Sequence, residues 1–339
     1  MKIVCTLQEL YDIVNNNMRV YNAIIIENVK VNFDIDFRTI LKGCNICDFK
    51  DKDTFCVLKT PVRLFNITAP KLSFVNIEFN NEIYIGGDDN CDISNIYFCS
   101  CKFFAKERYS MMIDICDSLD LSDCYFSSNT CISSNKPTKK IQIEDLICDG
   151  NLEFRNLKLI SDNISHKAEA YIEGNVGSQV KFFNSFVING DLIVNCNCST
   201  LDFCFINYYI NDKKFIEHNW GTIQTNGVEI GLLNLYYCNI RTIDIINTAI
   251  SNAHEYQLIC EKFDNEAAMI LRNMALQNNN DILANKYNVI AYDKYLREIT
   301  AAKYKSMISY LSSNRKECNK KCGWMKKTIK GLFRKYLYE

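Results

Sequence analysis

Cysteine is the residue type best placed to do chemistry in this 339-residue chain, which holds 18 of them. Cys44-Asn45-Ile46-Cys47 has C-x-x-C spacing, and Cys318 and Cys322 form a second close pair. A zinc site needs four converging ligands, and these two pairs lie at opposite ends of the chain. Cys99/Cys101 and Cys196/Cys198 are two residues apart, which on a strand places both thiols on one face. The spacing predicts stacked core thiols that act as small hydrophobes, with no metal site and no cofactor. His166, His218 and His254 fall in no metal or hydrolase motif. His218-Asn219-Trp220 is either a polar, aromatic lining for a ligand groove or an ordinary loop. Asp88-Asp89 and Asp114/Asp117 are the nearest acidic groupings. Paired carboxylates about 5–10 Å apart can do acid–base work, whereas loop acids usually only solvate a surface. No catalytic residue is assigned.

The sharpest chemical signal is the end of the chain. Residues 301–339 hold 11 Lys and Arg against 2 Asp and Glu, a balance of +9, and residues 1–300 carry −10. Drawn as a helix, residues 324–337 place Trp324, Met325, Ile329, Leu332, Phe333, Tyr336 and Leu337 on one broad side. Lys326, Lys327, Lys330 and Arg334 fall on the other. A basic amphipathic helix with an aromatic face can lie in a membrane interface. It can also pack on the protein's own body or on a protein partner. Nucleic acid is a weaker reading, because phosphate binding gives the apolar face no role. Trp324, Lys326, Lys327, Ile329, Lys330, Leu332, Phe333, Arg334 and Tyr336 are the candidate docking residues.

The elements that would position these residues change near residue 253. Before it, short runs of Ile, Phe, Tyr, Leu, Asn and Cys alternate as strands do and end in Asn, Asp, Ser or Gly. A loose motif recurs: Phe74-Val75-Asn76-Ile77, Leu121-Ser122-Asp123-Cys124, Phe154-Arg155-Asn156-Leu157, Phe182-Phe183-Asn184-Ser185 and Tyr236-Tyr237-Cys238-Asn239. Similar segments about 20–30 residues apart point to a solenoid whose strands pair with their counterparts one coil away. Asn at its corners tolerates left-handed backbone. An antiparallel β-sandwich is the competing reading, and the scarcity of Asn-Gly and Asp-Gly turns argues against it. Thr6, with Glu9 three residues on, predicts a capped N-terminal helix through Leu7, Leu10, Tyr11 and Val14 that ends by Asn15-Asn16-Asn17. From Ala253 the apolar spacing becomes helical. Asn278-Asn279-Asn280-Asp281 divides two helices and caps the second.

At these helices the chain resembles a known arrangement. Leu271-Arg272-Asn273-Met274-Ala275, Asn280-Asp281, Ala284-Asn285-Lys286-Tyr287 and Tyr295-Leu296-Arg297-Glu298 are similar to the two-helix module that follows pentapeptide-repeat and related β-helix regions of bacterial proteins. In some of those proteins a Trp-containing helix follows and leads into an ion-channel domain, and Cys322-Gly323-Trp324 through Tyr336 is similar to that lead-in. The resemblance covers about 45 residues of the helical part. It implies a solenoid sensor or scaffold beside a membrane.

The expectation is a mainly β, right-handed β-helix over residues 1–252 with a short N-terminal capping helix. A helical hairpin cap over 253–312 and a basic amphipathic tail over 313–339 complete it. Met1-Lys2-Ile3-Val4-Cys5 opens no apolar leader, so the expected setting is cytoplasmic, with the tail able to hold the protein on the inner face of a membrane. The expected role is a non-enzymatic scaffold that presents a long side surface to a protein partner. A β-helix carbohydrate-active enzyme and an acidic DNA mimic are the alternatives.

Overall fold

The computed structural model describes residues 1–46, 48–50, 55–88, 91–105, 108–115, 117–134, 136–161, 167–207, 221–277, 279–292, 300, 303 and 305. The chain opens with helix α1 (Leu7–Tyr21), where the Thr6 side chain accepts from the Glu9 amide at 3.3 Å. The reciprocal bond of a capping box is made one residue earlier, from the Cys5 amide to the Glu9 carboxylate at 2.9 Å. The helix runs through the three asparagines instead of stopping at them, and ends where Asn22 turns left-handed. Buried Leu10 and Val14 hold it in the core, and packing outweighs the weak helix propensity of Asn.

Strands follow: β1 (Ile24–Lys30), β2 (Val62–Val75), β3 (Ile83–Gly86), β4 (Asp92–Cys99), β5 (Tyr109–Asp114), β6 (Ser118–Ser122), β7 (Asn129–Ser133), β8 (Lys140–Cys148), β9 (Leu152–Arg155) and β10 (Ala168–Phe183). A second helix, α2 (Phe37–Cys44), lies between β1 and β2. Asp36 caps it by accepting from the Arg38 amide at 3.1 Å.

Every strand from β2 to β10 pairs in parallel with strands that lie further along or back in sequence, and the pairing returns to its start. It passes from β2 through β3, β5, β7 and β9 to β10, then back through β8, β6 and β4 to β2. The expected right-handed β-helix, or solenoid, is therefore corrected: the structure is a closed nine-stranded, all-parallel β-barrel with outer strands and two C-terminal helices. Two long, bent strands close it. In β2, Val62–Phe65 pairs with β3 and Thr68–Val75 with β4, and Asn66 between them has φ 52°. In β10, Glu169–Ile172 and Gly174–Val176 pair with β8, and Val180–Phe183 with β9. Gly174 sits at a register shift within the β8 ladder with φ 154°, and a Cβ there would stand 2.2 Å from the Leu146 carbonyl oxygen. Sequence periodicity shows that a strand meets its like further on. It does not show that one strand serves two ladders.

The outer strands continue the same parallel register. β1 pairs with β2, and β11 (Gly190–Cys204) with β10. After these come β12 (Thr222–Asn226), β13 (Glu229–Tyr236), β14 (Asn239–Ile246), β15 (Ala249–Tyr256) and β16 (Ile259–Phe263). Strand structure thus persists ten residues beyond Ala253, because the apolar spacing there also suits strands separated by a left-handed turn at Gln257. Helix α3 (Asn265–Gln277) buries Ala267, Ala268, Leu271, Met274 and Ala275. Asn280 accepts from the Leu283 amide at 3.1 Å and caps the second helical run, residues 281–292. No helix among the described residues is long and apolar enough to cross a membrane.

In-register parallel pairing puts like residues side by side in the core. Phe74 stacks on Phe98 at 4.4 Å, Phe79 on Phe103 at 4.9 Å, and Phe103 on Phe126 at 4.4 Å. Phe154, Phe182 and Phe203 form a second column at 4.6 and 5.2 Å. At the C-terminal end, Tyr287 is 1% exposed and donates its hydroxyl to the Glu255 carboxylate, with Phe263 edge-on at 5.6 Å.

Two outcomes follow from this packing. Phe103→Ala, which empties the middle of a column, is expected to lower unfolding stability by about 3–5 kcal/mol in a denaturant titration. Burial pushes the Glu255 carboxyl above its ordinary value, against the opposing pull of the Tyr287 hydrogen bond and Lys286. A carboxyl raised in the folded state contributes stability below its unfolded pKa and loses it as pH rises through the folded value. The stability of the wild type minus that of Glu255→Gln should therefore fall in thermal unfolding as pH rises above the ordinary Glu range, about 4.3.

Candidate binding face

Strand alternation sends one set of side chains outward, and parallel register lines them up across strands. One row runs Ile25, Arg63, Tyr84, Met112, Cys131, Glu153, Lys181, Asp202, Asn234 and His254. Two residues further along each strand, Arg155, Phe183, Cys204, Tyr236 and Tyr256 form a second row. These two rows make a face that crosses the whole molecule.

Its middle is a tight polar cluster. Glu153 is 9% exposed and accepts from Arg155 Nε at 2.8 Å and from the Tyr109 hydroxyl at 3.2 Å. A second Arg155 nitrogen bonds both Glu153 and, at 2.8 Å, Tyr109. The two-point contact of Arg155 on a nearly buried carboxylate fixes the guanidinium plane. Burial, then the Glu153 charge, raises the Tyr109 phenol, so it stays a hydrogen-bond donor near neutral pH. Two strands on, Asp202 is 7% exposed and held by Gln179 Nε2 and the Cys204 thiol, each at 3.0 Å.

Beside this cluster, where the strands turn, a line of corner residues holds left-handed backbone: Asn156, Asn184, Phe205, Tyr237 and Gln257, with φ from 50° to 59°. Each of the first four donates its amide to the strand end one step on, so they stack. Asn suits that backbone, and the Asn184 amide donates to Asn156 Oδ1 at 2.7 Å. Phe205 and Tyr237 do not suit it. A bulky side chain in the left-handed region costs roughly 1–2 kcal/mol. Their rings stack at 5.0 Å and 7°, with Phe183 edge-on to Phe205 at 5.7 Å and Tyr256 edge-on to Tyr237 at 5.2 Å. Phe183 and Tyr256 are 39% and 51% exposed. The ridge is anchored by Asn207, which is 1% exposed and bonds the backbones of Val187 and Asn239. The repeated sequence motif covers this line at Phe182-Phe183-Asn184-Ser185 and Tyr236-Tyr237-Cys238-Asn239. It misses the ridge, because the excess of aromatics over Asn at that line is visible only once the corners are stacked.

Towards the N-terminal end the face opens into a groove of about 430 Å³ lined by Ile25, Glu27, Arg63, Phe65, Glu82, Ile83, Tyr84, Tyr109 and Met112. The Phe65 and Tyr84 rings stack at 6.3 Å, and Arg63 pairs with Glu82 at 3.0 Å.

The residues named for chemistry from sequence are dispersed. Cys44 is half-buried on α2, its thiol pushed up to about 11 by burial and then by Asp12. Asp114 accepts from Ser133 at 3.3 Å, Asp117 pairs with Lys139 at 3.0 Å, and Asp88 lies on a separate turn, its amide donating to Asn66. Cys99 ends β4, Ser100 turns left-handed, and Cys101 is buried beyond the turn, so a corner and not one strand face relates the two. Of the histidines, His254 is half-buried in the outward row. Cys47, Asp89, His166, His218, Trp220, Cys318 and Cys322 lie outside the described residues, as do the tail residues Trp324, Lys326, Lys327, Ile329, Lys330, Leu332, Phe333, Arg334 and Tyr336. Among the described residues no group of three or more His, Cys, Asp or Glu could hold a metal ion. Searches of protein-family models, curated proteins and solved structures find no match, so the likeness to pentapeptide-repeat proteins rests on the helical residues quoted for it.

The buried thiols are built to be inert. Cys101 donates to the Phe74 carbonyl at 3.5 Å, Cys196 to Ile172 at 3.6 Å and Cys238 to Phe203 at 3.3 Å. Burial pushes Cys101 up to about 12 and raises Cys124, Cys196 and Cys238 as well. Since the thiolate is the reactive form, these four should resist an aromatic disulfide reagent near pH 8 until denaturant is added. Exposed Cys5 should react at once. Mass spectrometry of the labelled protein reads both.

Proposed function

We propose that this protein is a non-enzymatic scaffold whose outer face binds a protein partner through the aromatic ridge and the Tyr109–Glu153–Arg155 cluster. The carrying observation is the left-handed backbone at Phe205 and Tyr237, on a line whose preceding corners are Asn156 and Asn184. Local strain of this kind is retained where the side chain has a task that the relaxed residue could not perform. Tyr, Phe and Arg on a rigid support are the side chains that dominate protein interfaces, because they bring large contact area with few torsions to freeze. The parallel sheet supplies the support, and the bond network of Asn207 holds the corner. The basic tail over 313–339 belongs to this reading as a docking element.

The test restores the Asn line. Phe205→Asn with Tyr237→Asn removes both rings and relieves the backbone at once. Stability is expected to stay within about 1 kcal/mol, since lost ring contact and relieved strain are of similar size. Affinity for the partner, first trapped by a photo-crosslinker in place of Tyr256, is expected to fall tenfold or more. Unchanged affinity would sink the proposal. A loss of stability above about 3 kcal/mol would make the rings structural.

A further inference from the structure

We infer that the groove at the N-terminal end of the face is the docking site of this chain's own basic segment, residues 313–339, in the same molecule. The inference rests on the binding-face reading, and it makes part of that face occupied until a partner displaces the segment. Charge is the first argument. In the groove Arg63 is already paired with Glu82, whereas Glu27 has no ion-pair partner among the described residues. Asp114 lies behind Tyr84 and raises its phenol after burial does. A carboxylate beside the Phe65 and Tyr84 rings suits a Lys or Arg side chain, which gains an ion pair and a ring contact together. The strongest source of such side chains in the molecule is 313–339, which holds 9 Lys and Arg against 2 Glu, opposite a body of −10.

Aromatic content is the second argument. Trp324, Phe333 and Tyr336 travel with those cations, and exposed Phe65 and Met112, at 38% and 41%, offer apolar surface beside the carboxylates. Reach is the third. From Met112 to His254 the outward row crosses six strand steps, about 30 Å at about 4.8 Å each. The 33 residues between Tyr292 and Lys326 can span up to about 110 Å at about 3.3 Å per residue. Attachment to the same chain raises the effective concentration to about the millimolar range, so weak individual contacts suffice.

Zero-length coupling of amines to carboxylates on the full chain tests this, using an equal mixture of light and ¹⁵N-labelled protein. The expected result is coupling of Lys326, Lys327 or Lys330 to Glu27 or Glu82 within light or within heavy chains, diminished at high salt. Glu27→Lys should lower it at least fivefold. Adding Lys326→Glu and Lys327→Glu should restore proximity, read as coupling of the introduced carboxylates to the introduced amine at position 27. Mixed light–heavy pairs, tail coupling only to other sites, or coupling unaffected by Glu27→Lys would each overturn the inference. So would a tail that couples nowhere and binds vesicles of anionic lipid instead. Circular dichroism of each variant confirms the fold. Partner affinity measured on the same variants separates the two readings. Coupling without partner binding leaves the inference and removes the scaffold role, and partner binding without coupling does the reverse.

Discussion

In-register parallel pairing is the constraint on which the rest of this structure depends. When a strand lies beside its like with no offset, every position meets its equivalent about 4.8 Å away. That distance suits stacked rings and side-chain amide ladders, and it turns isolated residues into columns. The Phe columns inside, the Asn184–Asn156 contact at the corner and the outward rows are one consequence in three environments. A one-residue slip would turn core phenylalanines outward along a whole strand. Phe103 between Phe79 and Phe126 holds register as well as contributing buried area.

The same constraint explains why corners are the places where function can be read. A parallel sheet of this kind spends most of its sequence on pairing, and its strand interiors have little freedom. Corners are freer, because each needs only a residue that tolerates φ near 50° and a backbone amide for the next strand end. Asn meets both needs at low cost. Where a corner instead carries Phe205 or Tyr237, ring contact only offsets a strain that Asn would not incur. The departure from the relaxed residue is the signal, and its neighbours on the same face, Arg155 and Tyr109, are those that interfaces use.

Much of this was legible in the sequence. The five repeats of the corner motif each contain the residue that turns left-handed: Asn76, Asp123, Asn156, Asn184 and Tyr237. Thr6 with Glu9 and Asn280 mark helix starts that the structure keeps, and the cysteines read as small core residues are buried at Cys101, Cys124, Cys196 and Cys238. Closure was not legible. It depends on β2 changing partner at Asn66 and β10 between Val176 and Val180 so that each joins two ladders, and local pattern carries no trace of a strand with two sets of partners. Helix α2 was hidden because Phe37, Ile40 and Leu41 suit either element until Asp36 is seen to cap them. The polar cluster on the outer face was hidden for a further reason: Tyr109, Glu153 and Arg155 are brought together by register across strands far apart in sequence.

The cluster at the centre of that face also bears on whether it could be catalytic. A general acid or base must be able to change its proton count during the reaction. Glu153 Oε2 accepts from two nitrogens of Arg155 and from the Tyr109 hydroxyl, so its charge is matched. Taking Arg155 away would leave a nearly buried carboxylate without its partner, which costs more than losing one of the exposed pairs elsewhere on the surface. The arrangement fixes the position of the guanidinium and the carboxylate. A fixed, matched charge cluster beside a strained aromatic ridge is what a recognition surface requires, and it supports reading this face as one that holds a partner in place.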